Sequence, residues 1–188
     1  MLKLICQIIL VLPICILAQE SECNLNNFKT SDIVPNIIPK VPEKPMTIEY
    51  KDHPVTCGNQ LDLNTTHDPP TVVDYEADKT KYYTLIMFDP DVPYPQNRSL
   101  QSFRHWLIEN IEGNLVNNGD LVSSYYRPTP PSDSDSHRYI FLIYEQPDSM
   151  KLNDHFDNNE RTNFDVPKFV QERNLTGPVA GNFFLLHP

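Results

Sequence analysis

The sequence has little glycine and little positive charge, and each shortage excludes a class of protein. Five glycines stand against 18 prolines, a balance that favours a rigid, loop-rich β protein over a helical bundle. The 15 basic residues are outnumbered by 25 acidic ones, so the formal net charge is -10. That charge argues against nucleic-acid partners and against nonspecific adsorption to anionic membranes. Recognition of one anionic headgroup in a local positive pocket stays compatible with it.

Several catalytic signatures are also missing. The sequence has no Gly-x-Ser-x-Gly elbow and no glycine-rich loop of the kind that cradles phosphates. Two aspartates and two histidines, described below, could hold a metal, but their spacing matches no compact metal motif. No nucleophile or oxyanion hole is visible beside them, although acid–base work by these groups is an open alternative. We therefore predict a protein that is not an enzyme and that carries neither metal nor cofactor.

An apolar run opens the chain. It extends from Leu4 to Leu17, after Lys3 and before Ala18, and these features are typical of a secretory signal peptide over residues 1–18. An uncleaved anchor is the alternative, although a membrane span needs about 20 apolar residues and Pro13 interrupts this run. We expect an N-terminal arm over residues 19–33, a single domain over residues 34–188 and a secreted product without a transmembrane anchor.

Cysteines and sequons agree with an extracellular location. Cleavage of the signal would remove two of the four cysteines and leave Cys23 and Cys57, which indicate one disulfide in an oxidising compartment. Two buried free thiols are the alternative. Three N-glycosylation sequons follow, at Asn64, Asn97 and Asn174.

Runs of β-forming residues predict a mainly β fold. The predicted strands are Met46–Tyr50, Val55–Leu63, Thr71–Tyr75, Tyr82–Phe88, Phe103–Ile111, Arg138–Glu145 and a last strand that ends near Phe184. Helical spacing predicts one helix over Asp165–Glu172, and a short helical turn is expected near Ser31-Asp32. Alternation along Phe103–Ile111 places Arg104 on the face of Trp106 and His105 on the opposite face.

Polar side chains lie at the ends of three predicted strands. Asp89 and Asp91 follow one strand in an Asp-Pro-Asp-Val-Pro turn, His105 lies in the next, and His137 begins the third. If the strands are neighbours, each carboxylate favours a protonated imidazole, and a small anion site results. Taken singly, an Asp-Pro-Asp turn is usually a surface turn and a lone histidine is usually a core residue. The ordered combination favours a site.

The same combination resembles the phosphatidylethanolamine-binding protein family, which includes the Raf kinase inhibitor proteins. The resemblance extends from about Val34 to Phe184. The residues and motifs that carry it are Asp89-Pro90-Asp91-Val92-Pro93, Phe103, His105, Pro130-Pro131, His137-Arg138-Tyr139, Tyr144-Glu145-Gln146 and Gly177-Pro178-Val179-Ala180-Gly181.

The resemblance implies a large central antiparallel sheet packed with a smaller sheet, with few peripheral helices. It also implies a pocket for phosphate, acetate or the phosphoethanolamine headgroup. The pocket residues would be Asp89, Asp91, Pro93, His105, Tyr125, His137 and Tyr139. Histidines and backbone amides would hold the anion, and the aspartates would orient the imidazoles or take up the ammonium group. Tyrosines would give apolar walls with a hydroxyl tip.

By this resemblance the protein is a secreted, non-catalytic binding protein for phospholipid headgroups such as phosphatidylethanolamine, or for small anions. The alternative is inhibition of an extracellular serine protease or another protein-interaction role. Two features depart from the family. The loop before His137 reads Ser132-Asp133-Ser134-Asp135-Ser136, where glycines are usual, and the sequence stops at Pro188, where a C-terminal helix is usual. We therefore expect weaker anion binding than in a typical family member, no C-terminal helix and a more open pocket mouth.

Overall fold

The computed structural model describes residues 22–150 and 158–188. The predicted signal peptide over residues 1–18 lies outside the described residues. Within the described ranges, no helix has the length and apolar character that a membrane crossing requires.

Short helices and ten strands make up these ranges. The helices are α1 (Asn27–Thr30) and α2 (Val166–Glu172), with one 3₁₀ turn at Val116–Asn118. The strands are β1 (Lys44–Pro45), β2 (Thr47–Tyr50), β3 (His53–Pro54), β4 (Gln60–Leu61), β5 (Val72–Asp74), β6 (Tyr82–Asp89), β7 (Phe103–Glu112), β8 (Asp120–Ser123), β9 (His137–Glu145) and β10 (Thr176–Leu186).

The strands form two sheets, and the predicted mainly β architecture is confirmed. The larger sheet has seven strands in the order β1-β10-β9-β6-β7-β8, and β4 also pairs with β10. Its central strands, from β10 to β8, are all antiparallel to their neighbours. The smaller sheet has the order β3-β2-β5. The three strands with polar ends are therefore adjacent, with β6 between β9 and β7.

The larger sheet is covered on both faces, which explains its nearly continuous apolar runs. One cluster, the inner core, joins alternate residues of β6 and β9 to Ile48 and Tyr50 of the smaller sheet. The other cluster, the outer core, joins the intervening residues to Phe28 of α1 and Phe169 of α2. Phe28 and Ile33 are wholly buried. The predicted arm over residues 19–33 thus packs into the outer core along its described part.

Helix positions agree closely with the sequence. α2 begins at Val166 because the Asp165 carboxylate caps it, accepting a hydrogen bond from the Lys168 backbone N–H at 3.0 Å. α1 lies just before the expected turn at Ser31-Asp32. β10 is the last element of the described chain.

The predicted strand over Val55–Leu63 is wrong for most of its length, since only Gln60–Leu61 pairs as a strand. Cys57 and Gly58 both have positive φ, at 55° and 116°, which interrupts an extended chain. Tertiary contacts hold this conformation. The buried Asn182 side chain donates to the Val55 carbonyl at 2.8 Å and accepts from the Cys57 N–H at 2.9 Å.

The predicted assignment of side chains to the two faces of β7 is wrong for its first residues, because the strand has a β-bulge there. Met87 pairs with Trp106 and Phe88 pairs with Arg104, so His105 is the extra residue. Arg104 consequently lies over the Phe164 ring, 5.4 Å from its centroid, on the outer-core side. His105 lies instead on the inner-core side, 5.2 Å from the Tyr139 ring between centroids.

Candidate functional site

A cavity of about 230 Å³ lies where β6, β7 and β9 present their polar ends. Its lining residues are Asp89, Val92, Pro93, Leu100, Phe103, His105, Thr129, Pro130, Pro131, His137, Tyr139 and Thr162. Five of the seven residues predicted for the pocket are therefore brought together, namely Asp89, Pro93, His105, His137 and Tyr139. Apolar side chains and prolines form most of the remaining wall.

A hydrogen-bonded chain of three side chains begins with Asp89 and His137 in the cavity lining and ends at Ser134, outside it. His137 is wholly buried and donates from Nδ1 to the Asp89 carboxylate at 2.7 Å. Its Nε2 lies 2.9 Å from the Ser134 hydroxyl. Asp89 also accepts the Asp91 backbone N–H at 2.8 Å. Burial raises the pKa of the Asp89 carboxyl, and the contact with His137 opposes this shift.

Asp91 lies beneath the cavity and does not line it. Its carboxylate accepts hydrogen bonds from Nε and Nη2 of Arg138, at 2.9 and 2.6 Å, and from the Arg138 backbone N–H. Arg98 adds an ion pair at 3.0 Å. The Arg138 guanidinium also donates to the backbone carbonyl groups of Ser31 and Asp32. This aspartate therefore ties β9 to the N-terminal segment, and it is unavailable for a ligand ammonium group.

His105 differs from the sequence prediction in its charge. Its Nδ1 lies 2.6 Å from the Tyr126 carbonyl, and because a carbonyl only accepts, Nδ1 carries the hydrogen. Burial, aided by the nearby Arg161 guanidinium, lowers the pKa of His105 to about 4, although the hydrogen bond with the Tyr126 backbone opposes this shift. The expectation that a carboxylate would keep this imidazole protonated is wrong. His105 is neutral near pH 7, with an acceptor lone pair on Nε2.

The two predicted tyrosines have different positions. Tyr139 is buried in the cavity wall, stacked on the Phe184 ring at 5.0 Å, and burial together with Asp89 raises the pKa of its hydroxyl. Tyr125 does not line the cavity. Its hydroxyl donates to the Thr66 carbonyl at 2.8 Å and lies 3.2 Å from the Tyr50 hydroxyl, on the side of the smaller sheet.

The fixed charges beneath the cavity balance one another. Asp89 and Asp91 provide two carboxylates, and Arg138 and Arg98 provide two guanidinium groups.

The acidic loop before His137 directs its carboxylates away from the cavity. Asp133 accepts a hydrogen bond from the Tyr94 hydroxyl at 3.3 Å, and Asp135 accepts from the Gln96 side-chain amide. Asp133 raises the pKa of the hydroxyl of the half-buried Tyr94. These contacts join the loop to the turn that follows Pro93. Asp133 and Asp135 therefore form hydrogen bonds that connect two loops at the cavity rim.

Ser134 is the polar residue that sequence reasoning missed. Together, Ser134, His137 and Asp89 have the order of groups found in a serine hydrolase triad. However, Ser134 is 5% exposed and is absent from the cavity lining, and its backbone N–H donates to the Pro131 carbonyl at 3.0 Å. Its hydroxyl lies behind the wall, which argues against a nucleophile facing a substrate. Its position three residues before His137 was the available signal.

The cysteines and sequons predicted from the sequence also have positions in the structure. Cys23 and Cys57 form a disulfide, with Cα atoms 4.8 Å apart. The three sequon asparagines, Asn64, Asn97 and Asn174, are exposed. Among residues 22–150 and 158–188, no group of three or more His, Cys, Asp or Glu side chains is placed to hold a metal ion.

Comparisons with known proteins agree with this fold. A family model described as phosphatidylethanolamine-binding protein matches residues 43–184. The chain is 32% identical to "Putative odorant-binding protein A5" of Drosophila melanogaster, over 89% of this chain and 82% of that protein. It is 35% identical to a 26 kDa secreted antigen of Toxocara canis, over 84% of this chain, and spans 62% of the antigen's length.

A solved structure shows the same architecture. The chain superposes on a carboxypeptidase Y inhibitor, crystallised in complex with its cognate proteinase, with a TM-score of 0.73 and 24% identity. The match covers 87% of this chain and 94% of that one. Family members of this kind are generally binding or inhibitor proteins that do not catalyse reactions. The chain belongs to the phosphatidylethanolamine-binding protein family.

Proposed function

We propose that the protein is an extracellular, non-catalytic binding protein whose cavity accepts a small anionic group, such as the phosphate of a phosphatidylethanolamine headgroup. The observation that carries the proposal is the buried Asp89–His137 pair at the floor of a largely apolar cavity. Asp89 fixes the orientation of the imidazole through its contact with Nδ1. In its imidazolium form His137 would also carry an N–H at Nε2, which a ligand oxygen could reach only by replacing the Ser134 hydroxyl.

The other end of the ligand would meet different groups. Asp89 and Asp91 are both engaged, by His137 and Arg138. The His105 Nε2 lone pair therefore offers an acceptor for an ammonium or hydroxyl group, in place of the aspartates. Leu100 and Phe103 line the cavity as well, and their apolar surface suits the first carbons of a glycerol or acyl chain.

An extracellular location has three supports. The disulfide between Cys23 and Cys57 is typical of an oxidising compartment. The sequon asparagines are exposed and accessible to glycosylation. A relative that is 35% identical carries the name of a secreted antigen.

Calorimetric titration with phosphoethanolamine tests the proposal. We compare the wild type with His137→Asn, whose amide can still donate to Asp89 but cannot carry a positive charge. His53→Ala, at an exposed histidine of β3, is the matched control. We expect binding by the wild type and the control, and loss of binding in a folded His137→Asn variant. Unchanged binding by His137→Asn, or no binding by the wild type, would contradict the proposal.

The same preparations test the alternative function. The carboxypeptidase Y inhibitor shares the fold at 24% identity, so inhibition of extracellular serine proteases is assayed in parallel. Tight inhibition by the wild type and by His137→Asn alike would favour a protein-interaction role away from the cavity.

A further inference from the structure

Ser134 contacts the imidazole nitrogen that the proposed ligand needs. The His137 ring is wholly buried, with Nδ1 bonded to Asp89 at 2.7 Å and Nε2 bonded to the Ser134 hydroxyl at 2.9 Å. Both ring nitrogens are therefore occupied by protein groups. An anion that binds His137 has to replace one of these contacts, and the neutral hydroxyl is the weaker competitor.

The loop holds Ser134 in this position through contacts on both sides. The Ser134 N–H donates to the Pro131 carbonyl at 3.0 Å and closes a turn. The neighbouring Asp133 and Asp135 carboxylates are bound by Tyr94 and Gln96. The hydroxyl is consequently held at His137 by the loop backbone. Rotation about the Ser134 χ1 angle is the smallest movement that would release Nε2.

We propose that Ser134 determines ligand specificity, because its hydroxyl occupies Nε2 of His137 and only an anionic oxygen, such as that of phosphate, displaces it. The inference rests on the proposed binding function of the same cavity. Hydrogen bonds whose donor or acceptor is ionised are about twice as strong as neutral ones, and an anionic oxygen on the imidazolium N–H adds the attraction between the two charges. Phosphate can therefore replace the hydroxyl, whereas a neutral alcohol of the same size gains nothing by the exchange.

The surroundings of His137 leave few other groups that could produce this selectivity. The titratable groups that face it are Asp89 at the end of β6, His105 of β7 and Tyr139 of β9. Burial favours the neutral forms of His105 and Tyr139 near pH 7. Displacement of the Ser134 hydroxyl thus depends on the charge of His137 and of the incoming ligand.

The test compares three variants with the wild type by calorimetry, using inorganic phosphate at pH 7. Ser134→Ala removes the competing hydroxyl, Ser134→Thr keeps it, and Ser132→Ala is a matched control at an exposed serine of the same loop. We expect phosphate to bind Ser134→Ala more tightly by roughly three- to tenfold, the equivalent of one neutral hydrogen bond. The Thr variant and the control should match the wild type. NMR of the His137 ring nitrogens reports the Ser134 contact independently of any ligand.

Each outcome has a distinct meaning. Binding by the wild type with no gain in Ser134→Ala overturns the role of Ser134 and leaves the binding function intact. Absence of phosphate binding by every protein overturns the proposed function and the displacement that rests on it. An Nε2 resonance that is unchanged between the wild type and Ser134→Ala overturns the hydrogen bond itself.

Discussion

Acidification should destabilise this protein through His105, and the size of the effect follows from its burial. His105 is 3% exposed, and its pKa falls from 6.5 to about 4 on folding. Between these values the unfolded chain binds more protons than the folded one, so stability falls as the pH is lowered. Its contribution is complete above pH 6.5 and lost at about pH 4. From pH 7 to pH 4.5 the loss is about 2.5 kcal/mol, at 1.36 kcal/mol per pKa unit.

His105→Asn isolates this effect. The asparagine amide can still donate to the Tyr126 carbonyl but does not titrate. Urea unfolding, followed by the fluorescence of Trp106, gives the free energy of unfolding at pH 7, 6, 5 and 4.5. The raised pKa of Asp89 acts in the opposite direction in both proteins, so it cancels in the comparison.

We expect the wild type to lose about 2.5 kcal/mol more than the variant between pH 7 and pH 4.5. Equal losses in the two proteins would refute the assignment of a neutral, buried His105. The variant is expected to be less stable at pH 7, because it loses ring contacts with Tyr139 and Phe103.

Two further predictions concern stability. Asp91→Asn should lower the free energy of unfolding by about 3–5 kcal/mol, because it leaves the buried Arg138 guanidinium without its carboxylate. Arg98→Gln changes the more exposed partner of the same carboxylate and should lower the free energy of unfolding by less than about 1 kcal/mol. Equal effects in denaturant unfolding would contradict this explanation. Joint replacement of Cys23 and Cys57 by serine should lower stability by about 3–4 kcal/mol, as expected for a cross-link spanning 34 residues. An unchanged Tm for that variant would show that the arm is held by packing alone.

The central strands were predictable because a strand that is buried on both faces has an almost continuous run of apolar residues. Tyr82–Phe88 and Arg138–Glu145 are almost continuously apolar, and both become central strands. Val55–Leu63 is more polar, with Gly58, Asn59 and Gln60 in its middle, and fails as a strand for most of its length. Its conformation depends on Asn182, which is distant in sequence, and on two residues with positive φ.

The residues that form the site were predictable from the sequence, whereas the contacts among their side chains were less so. Asp89, His105, His137 and Tyr139 converge as the motif order indicated. Alternation along a strand could not reveal the bulge that turns His105 towards Tyr139. The sequence likewise did not reveal which side chains form hydrogen bonds with one another.

Asp91 and Ser134 show the same limit of sequence reasoning. Asp91 is bound by Arg138, which is distant in sequence, and Ser134 by His137, which is three residues away but is only one of several donors and acceptors within reach of the loop. Local spacing alone does not fix which donor an aspartate or a serine will meet.

The position of β10 has a consequence for biosynthesis. β10 follows every other strand of the described ranges, yet it lies inside the larger sheet, between β1 and β4 on one side and β9 on the other. The side-chain amide of Asn182 in this strand also donates a hydrogen bond to the backbone carbonyl of Met46, a buried residue early in the chain. A nascent chain that has not reached Thr176 therefore presents the unpaired edge of β9 and cannot complete its sheet. Until β10 has been made, that edge is open to pairing with other chains.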